Sequence, residues 1–296
     1  MSHIASQQNP RLKAVRRLHT RRERARLGAF LAEGEDLIAC AEQAGRAPLA
    51  GYRLAGSGLG GAGFHDVERA ALASVSALGS GTRVLGVYEQ RWGEPTGPLC
   101  VYLHGVNDPG NVGTVLRSAH VFGAACVALG PGCADPHSPK AVRASMGAIF
   151  SVALARVHDV QDLPGERVAL LAHAPEPLRA RGEQDGAGAG VAGAQIAGVA
   201  PSHRARVAGG APAGAVTLLV GAERDGLPAE VVDACEHSAC IPIVASSSSS
   251  PPSRVDSLNA AMAATVALYE MTRGRIPAPG AAGAPAGSDP SRVPAS

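Results

Sequence analysis

Short apolar runs along this chain alternate with stretches whose apolar positions recur every three or four residues, the patterns of strands and amphipathic helices in turn. Asn9 followed by Pro10 opens a helix in which Leu12, Val15 and Leu18 lie near one face, and Gly28 can stop it. The pattern then predicts a strand over Phe30 to Ala32, a helix over Glu35 to Ala44, a strand over Leu49 to Leu54, a helix over Asp66 to Leu78 and a strand over Arg83 to Tyr88. Glu94 to Pro98, with its prolines and glycine, reads as a linker. Beyond it, strands are predicted at Leu99 to Leu103, Ala125 to Leu129, Val168 to Ala172, Val216 to Val220 and Cys240 to Val244. Helices fall near Val112 to Phe122, Pro139 to Met146 and Pro228 to Cys235, with a last one over Ser257 to Thr272. Strands alternating with helices predict a mostly parallel sheet covered on both faces.

The fold class is therefore α/β, with a small N-terminal α/β domain over residues 1–93, a linker over 94–98 and a second α/β domain over 99–276. Residues 174–214 are rich in Gly, Ala and Arg without periodicity, and 245–256 contain the run Ser246 to Ser250 before Pro251 and Pro252. Both read as flexible insertions, and 277–296 as a disordered tail.

Composition narrows the function classes. No stretch approaches the roughly 18 consecutive apolar residues of a membrane span, and Met1 to Arg26 lacks the apolar run of a secretory signal, so a cytoplasmic location without membrane attachment is expected. The six cysteines form no C-x-x-C and sit mostly in apolar runs, which predicts buried thiols and no metal site. Among 37 glycines, Gly56 to Gly61 and Gly188 to Gly193 both satisfy G-x-G-x-x-G, a density at which chance matches are easy. A loop is the expectation for the first, with a dinucleotide-dependent oxidoreductase as the minor alternative. His104, His120, His137 and Asp135 show no ligand spacing, and the G-x-S-x-G nucleophile elbow is absent.

Charge matters once it is divided along the chain. The net charge is +2, yet residues 1–26 carry eight basic residues against Glu23, or +7, leaving −5 for the rest. A helix bearing Arg11, Lys13, Arg16, Arg17, Arg21 and Arg22 fits a nucleic-acid backbone, and equally an ordinary solvated face.

Three segments carry the candidate chemistry. In Asn107-Asp108-Pro109-Gly110-Asn111-Val112-Gly113-Thr114-Val115-Leu116-Arg117-Ser118-Ala119, a strand runs through a Pro-Gly turn into a helix bearing Asn111 and Arg117. In Leu218-Leu219-Val220-Gly221-Ala222-Glu223-Arg224-Asp225-Gly226-Leu227-Pro228, an apolar strand ends at a glycine, with Glu223 just past the carboxyl end, where open α/β sheets bind ligands. The third pairs Ile241-Pro242-Ile243 with Ser257-Leu258-Asn259 at the start of the last helix.

In this order, the three segments resemble the SpoU or TrmH-like RNA ribose 2′-O-methyltransferases of the SPOUT class over about residues 100–275, and Asn9-Pro10 through Glu33-Gly34 resembles the substrate-binding domain often found before it. The resemblance implies S-adenosylmethionine as methyl donor, a C-terminal trefoil knot and a homodimer. It implies catalytic positions at Asn111, Arg117, Glu223, Ser257 and Asn259, and cofactor contacts at Leu219, Val220, Gly221, Ile241 and Leu258. Arg stays protonated, so Arg117 is expected as an electrostatic clamp on the developing alkoxide or adjacent phosphate, its guanidinium fixed by Asn111 and Glu223, with Ser257 and Asn259 shaping the wall. The extra N-terminal domain and basic helix favour ribosomal RNA over tRNA. A ribosome-associated RNA-binding factor of the same fold without methyl transfer is the alternative.

Overall fold

The computed structural model describes residues 3–61, 63–77, 81–179, 214–243 and 258–273. The basic N-terminal segment forms two helices, α1 (Pro10–Arg17) and α2 (Arg21–Leu27), where one was expected. The break follows from capping. Asn9 Oδ1 accepts the Arg11 amide at 2.9 Å to start α1, Thr20 Oγ1 accepts the Glu23 amide at 3.4 Å to start α2, and Gly28 ends α2 at φ +59°.

The first sheet contains β1 (Ala29–Glu33), β2 (Ala50–Leu54), β3 (Phe64–Val67) and β4 (Val84–Glu89), in the order β1-β4-β2-β3. β4 runs antiparallel to both neighbours, while β2 and β3 are parallel. Helix α3 (Glu35–Gln43) follows β1 and α4 (Arg69–Ala73) follows β3. The helix expected from Asp66 starts three residues later, because 64–67 extend as a strand that puts Phe64 and Val67 into separate apolar clusters. The glycine-rich segment 56–61 is a loop after β2 in which no helix opens; Arg53 Nη1 donates to the Leu59 and Gly61 carbonyls at 3.2 and 3.0 Å.

The second sheet is parallel throughout, in the order β10-β8-β9-β5-β6-β7. Its strands are β5 (Leu99–Leu103), β6 (Cys126–Leu129), β7 (Ala153–Arg156), β8 (Glu166–Leu170), β9 (Val216–Val220) and β10 (His237–Ala239). The helices are α5 (Pro109–Val121), α6 (Pro139–Ala144), α7 (Ala229–Asp233) and α8 (Ala260–Thr272). β7 was not expected, β8 begins two residues before the apolar run suggested, and β10 ends just before Cys240, where the expected strand was to begin, while 241–243 are not strand. All residues of β5 and β9 are buried. Val101, Leu103, Leu218 and Val220 face a cluster containing residues of α5 and α8, and Cys100, Tyr102 and Leu219 face Leu163, Leu227 and Val231. Residues 180–213, the serine run with Pro251 and Pro252, and 277–296 lie outside the described residues.

The two sheets share a core. Phe30 and Tyr88 pack against Phe150, with ring centroids 5.8 and 4.8 Å apart. Arg156 lies 4.0 Å over the Trp92 ring, and the Gly93 amide donates to the Leu154 carbonyl at 2.8 Å, so the chain leading into the linker docks along β7. Arg24, 3 % exposed, is paired with Asp135 at 2.7 Å. Leaving either charge alone there costs about 3–5 kcal/mol. His137 is wedged between Phe30 and Trp92, centroids 4.8 and 5.2 Å away, with its Nδ1 lacking a hydrogen-bond partner among the described residues and 3.7 Å from Asp135 Oδ1.

Burial pushes the His137 pKa down to about 4, against the opposing pull of Asp135. The unfolded chain takes up this proton near pH 6.5, whereas the folded chain resists it. The stability is therefore intact above about pH 6.5 and declines as pH falls towards 4, by on the order of 2–3 kcal/mol. Urea unfolding midpoints should fall across this window in the parent protein and fall less in His137→Phe, which keeps an aromatic ring against Phe30. Identical pH slopes in the two proteins would exclude His137 as the cause.

Candidate active site

Parallel pairing sets Leu99 opposite Val216 and Leu103 opposite Val220, so β5 and β9 end at the same edge of the sheet. From β5 the chain passes to Asp108, which caps α5 by accepting the Gly110 and Asn111 amides at 2.6 and 3.1 Å. Pro109 at the first helical position needs no donor. Lys140 Nζ donates to the second Asp108 oxygen at 2.7 Å and, through this bond first, holds the carboxyl below its ordinary pKa. A Cβ on Gly113 would stand 2.3 Å from the Ala141 carbonyl oxygen, so that glycine permits the close approach of α5 to α6.

From β9 the chain enters a tight loop closed by reciprocal hydrogen bonds between Ala222 and Gly226, at 3.1 and 2.9 Å. Glu223 stands on this loop. Its Oε1 accepts Asn111 Nδ2 at 2.6 Å and also Asn259 Nδ2, while Asn259 Nδ2 lies 3.2 Å from Asn111 Oδ1. Asn259 caps α8 at the same time, its Oδ1 accepting the Ala261 and Met262 amides at 2.9 and 3.3 Å. Two residues from two elements, Asn111 of α5 and Asn259 at the start of α8, are thus locked around one carboxylate. The bonds to Glu223 among the described residues all fall on Oε1, which leaves Oε2 for a hydroxyl-bearing ligand.

Two cavities meet at this carboxylate. One, of about 380 Å³, has an apolar wall formed by Leu170, Val220, Ile241, Ile243 and Leu258 and a rim formed by the loop from Gly221 to Gly226. The other, of about 340 Å³, is polar and bounded by Gly105, Val106, Asn107, Asp108, Asn111, Arg224 and Asp225. Glu223 borders both. Among the described residues, no group of three or more His, Cys, Asp or Glu side chains could hold a metal ion.

Asn111, Glu223 and Asn259 converge, and Val220, Gly221, Ile241 and Leu258 line the apolar cavity. Leu219 does not. Strand alternation turns it to the opposite face, where it is fully buried with Tyr102 and Leu227. Arg117 is not held by Asn111 and Glu223 as expected. Six residues at about 100° each put it roughly 120° around the helix from Asn111, and it is exposed, without a polar partner among the described residues. Ser257 lies outside the described residues. Sequence reasoning missed Lys140, which steadies the start of α5, and Asn107, Arg224 and Asp225, which bound the polar cavity; the position of Arg224 and Asp225 directly after Glu223 was the available signal.

The basic residues of the N-terminus divide in two. Arg11 Nη1 lies 3.1 Å from His65 Nε2, Arg16 bonds the Gln7 carbonyl, and Arg17 pairs with Glu23 at 2.7 Å. Lys13, Arg21 and Arg22 are exposed, with no polar partner among the described residues.

Residues 98–269 match the SpoU rRNA methylase family, and residues 9–50 match the MRM3-like substrate binding domain. The chain is 28 % identical over 295 residues to an uncharacterized tRNA/rRNA methyltransferase of Synechocystis, covering 91 % of this chain and 93 % of that one. It is 25 % identical over 280 residues to the 23S rRNA (guanosine(2553)-2′-O)-methyltransferase of Bacillus subtilis, covering 92 % and 99 %. An AdoMet-bound rRNA methyltransferase from Sinorhizobium meliloti superposes with a TM-score of 0.69 at 25 % identity, over 93 % of this chain and 98 % of that one. With a family match spanning more than half its length, the chain belongs to the SpoU rRNA methylase family.

Proposed function

We propose that the protein transfers a methyl group from S-adenosylmethionine to a ribose 2′-hydroxyl of ribosomal RNA. The observation that carries this reading is the Glu223 carboxylate, clamped by Asn111 and Asn259 where an apolar and a polar cavity meet. The apolar cavity lies within the roughly 300–1,000 Å³ of small-molecule sites, and its aliphatic wall with a backbone rim suits an adenosine and a sulfonium side chain. Once bound, the donor supplies an electrophilic methyl carbon. The polar cavity receives the target nucleotide, and Glu223 Oε2 accepts the hydrogen bond of the ribose hydroxyl and aims its oxygen. Such aiming supplies much of the acceleration in a displacement.

Arg117 remains the electrostatic clamp, and a homodimer supplies the geometry that one chain lacks. Val121, Met262, Val266 and Tyr269 form an exposed apolar face on α5 and α8, between 41 and 66 % exposed. Arg117 lies one turn before Val121, so a second copy seated on this face brings the guanidinium to the edge of a site. Four separate segments, 170–172, 220–226, 241–243 and 258–263, contribute to the cofactor cavity, which fits a chain threaded as a trefoil knot. Residues 1–93 serve as the RNA-binding domain and 99–276 as the catalytic domain, with Lys13, Arg21 and Arg22 contacting phosphates. Among the described residues no helix is long and apolar enough to cross a membrane, and ribosomal RNA as substrate is consistent with a cytoplasmic location. The alternative of a non-transferring ribosome factor gains no support beside relatives named as methyltransferases.

Two variants test the reading. A Cβ on Gly221 would stand 2.2 Å from the Gly226 carbonyl carbon, so Gly221→Val displaces the loop that carries Glu223. S-adenosylmethionine affinity measured by calorimetry should drop below detection, and parent-like affinity would move the cofactor site elsewhere. Arg117→Lys keeps the charge but loses the planar fork, and single-turnover methylation of total ribosomal RNA should slow by about 10²–10³ with cofactor affinity unchanged. Near-parent transfer would make Arg117 a structural residue of α5.

A further inference from the structure

The guanidinium of Arg24 makes four polar contacts. Nε and Nη2 donate to Asp135 Oδ2 at 2.8 and 2.7 Å, and Nη1 donates to the Leu18 and His19 carbonyls at 2.8 and 2.9 Å. The side chain thereby ties the end of α1 and the body of α2 to the segment between β6 and α6. That segment in turn builds the polar cavity. Gly105 donates to the Pro131 carbonyl at 2.9 Å, Ala134 donates to the Val106 carbonyl at 2.9 Å, and Cys133 Sγ donates to the Leu103 carbonyl at 3.1 Å. A Cβ on Gly132 would stand 3.1 Å from the Gly105 Cα. Further along the segment, Ser138 caps α6, and Lys140 holds the Asp108 carboxylate that starts α5. Two walls of the cavity, Gly105 with Val106 and Asp108 with Asn111, therefore depend on the segment that Arg24 grips.

Burying an ion pair is a poor way to gain stability, because well-packed apolar residues of similar volume usually serve as well or better. What the guanidinium adds is direction, since its planar fork fixes its partners in both distance and angle. The exposed Arg21 and Arg22 lie three and two residues before Arg24 on α2.

We propose that Arg24 and Asp135 are a positioning pair that sets the distance between the phosphate-contacting face of α2 and the polar cavity, so that RNA gripped by Arg21 and Arg22 presents its target ribose at Glu223. This rests on the reading of α2 as an RNA contact and of the polar cavity as the nucleotide site. Neither residue touches substrate.

The test uses the full chain, total ribosomal RNA from a strain deleted for the gene, and radiolabelled S-adenosylmethionine. Asp135→Asn keeps the size of the side chain and removes its charge. Arg24→Lys keeps the charge and cannot reach all three acceptors, and it carries the test if the first variant fails to fold. In folded protein, the single-turnover rate at saturating RNA should fall on the order of 10²-fold, the scale of a misplacement of about 1 Å. Dissociation constants for RNA and for S-adenosylmethionine should stay within about threefold of the parent, because the groups that contact them are retained. Combined with Arg21→Ala and Arg22→Ala, the effects on transfer should be non-additive, which a pair that only stabilises the fold would not produce. A parent-like rate, or a rate loss matched by an equal loss of cofactor affinity, overturns the positioning role while leaving α2 as an RNA contact. The Arg21→Ala, Arg22→Ala protein alone separates the two failures: unchanged RNA affinity and salt dependence there removes the RNA reading of α2, and the positioning role with it.

Discussion

In the centre of the larger sheet, Val101 lies opposite Leu218 and Leu103 opposite Val220, in two adjacent parallel strands buried on both faces. The candidate chemistry depends on that register. Because the strands run the same way, the loops that leave them emerge side by side, and Asn111 meets Glu223 across 112 residues of sequence. A slip of one residue would turn every side chain of β9 to the other face, moving Val220 out of the cavity wall and Leu219 into it. Both faces of these strands are packed, so neither can slip without emptying a core on one side and crowding the other.

Three carboxylates show how the surroundings divide the labour. Asp108 has the Lys140 ammonium and two backbone amides, and Asp135 has the Arg24 guanidinium. Each has its charge met by a cation and serves as a joint in the fold. Glu223 is instead oriented by two neutral amides, which fix its direction without cancelling its charge. Its other oxygen carries no hydrogen bond among the described residues, and the side chain borders both cavities.

Much of this was legible in the sequence, for identifiable reasons. The strands β5, β6 and β9 are apolar runs bounded by turn residues, and the caps Asn9, Asp108 and Asn259 are short polar side chains directly before helical periodicity. Other features depend on what lies across space. Nothing local separates the start of the expected helix at Asp66 from a strand; pairing with β2 and the ion pair to Arg53 decide it. β7, with residues Ala153 to Arg156, is too short and too mixed to stand out until β6 pairs with it. Leu219 and Val220 look alike in an apolar run, and only the cores on either side tell them apart. Arg24 was one of eight basic residues in the first 26 and not among the candidates for an RNA contact, while its burial rests on an aspartate 111 residues away. Arg117 matches the family motif, yet its position relative to the other site residues depends on helix geometry and on what covers α5.

The same long-range convergence has a consequence for biosynthesis. Asn259 reaches Asn111 across 148 residues, and it opens α8, close to the end of the described chain. Closing loops of that length is entropically costly and slow, and such contacts cannot form until the later partner has been synthesised. A ribosome making this protein therefore releases the first sheet, β5 and α5 well before the carboxylate clamp exists. A nascent chain of that length carries the segments of the basic helices α1 and α2 but no assembled centre. The clamp on Glu223 closes only when Asn259 is available, so the site is completed late, as α8 docks.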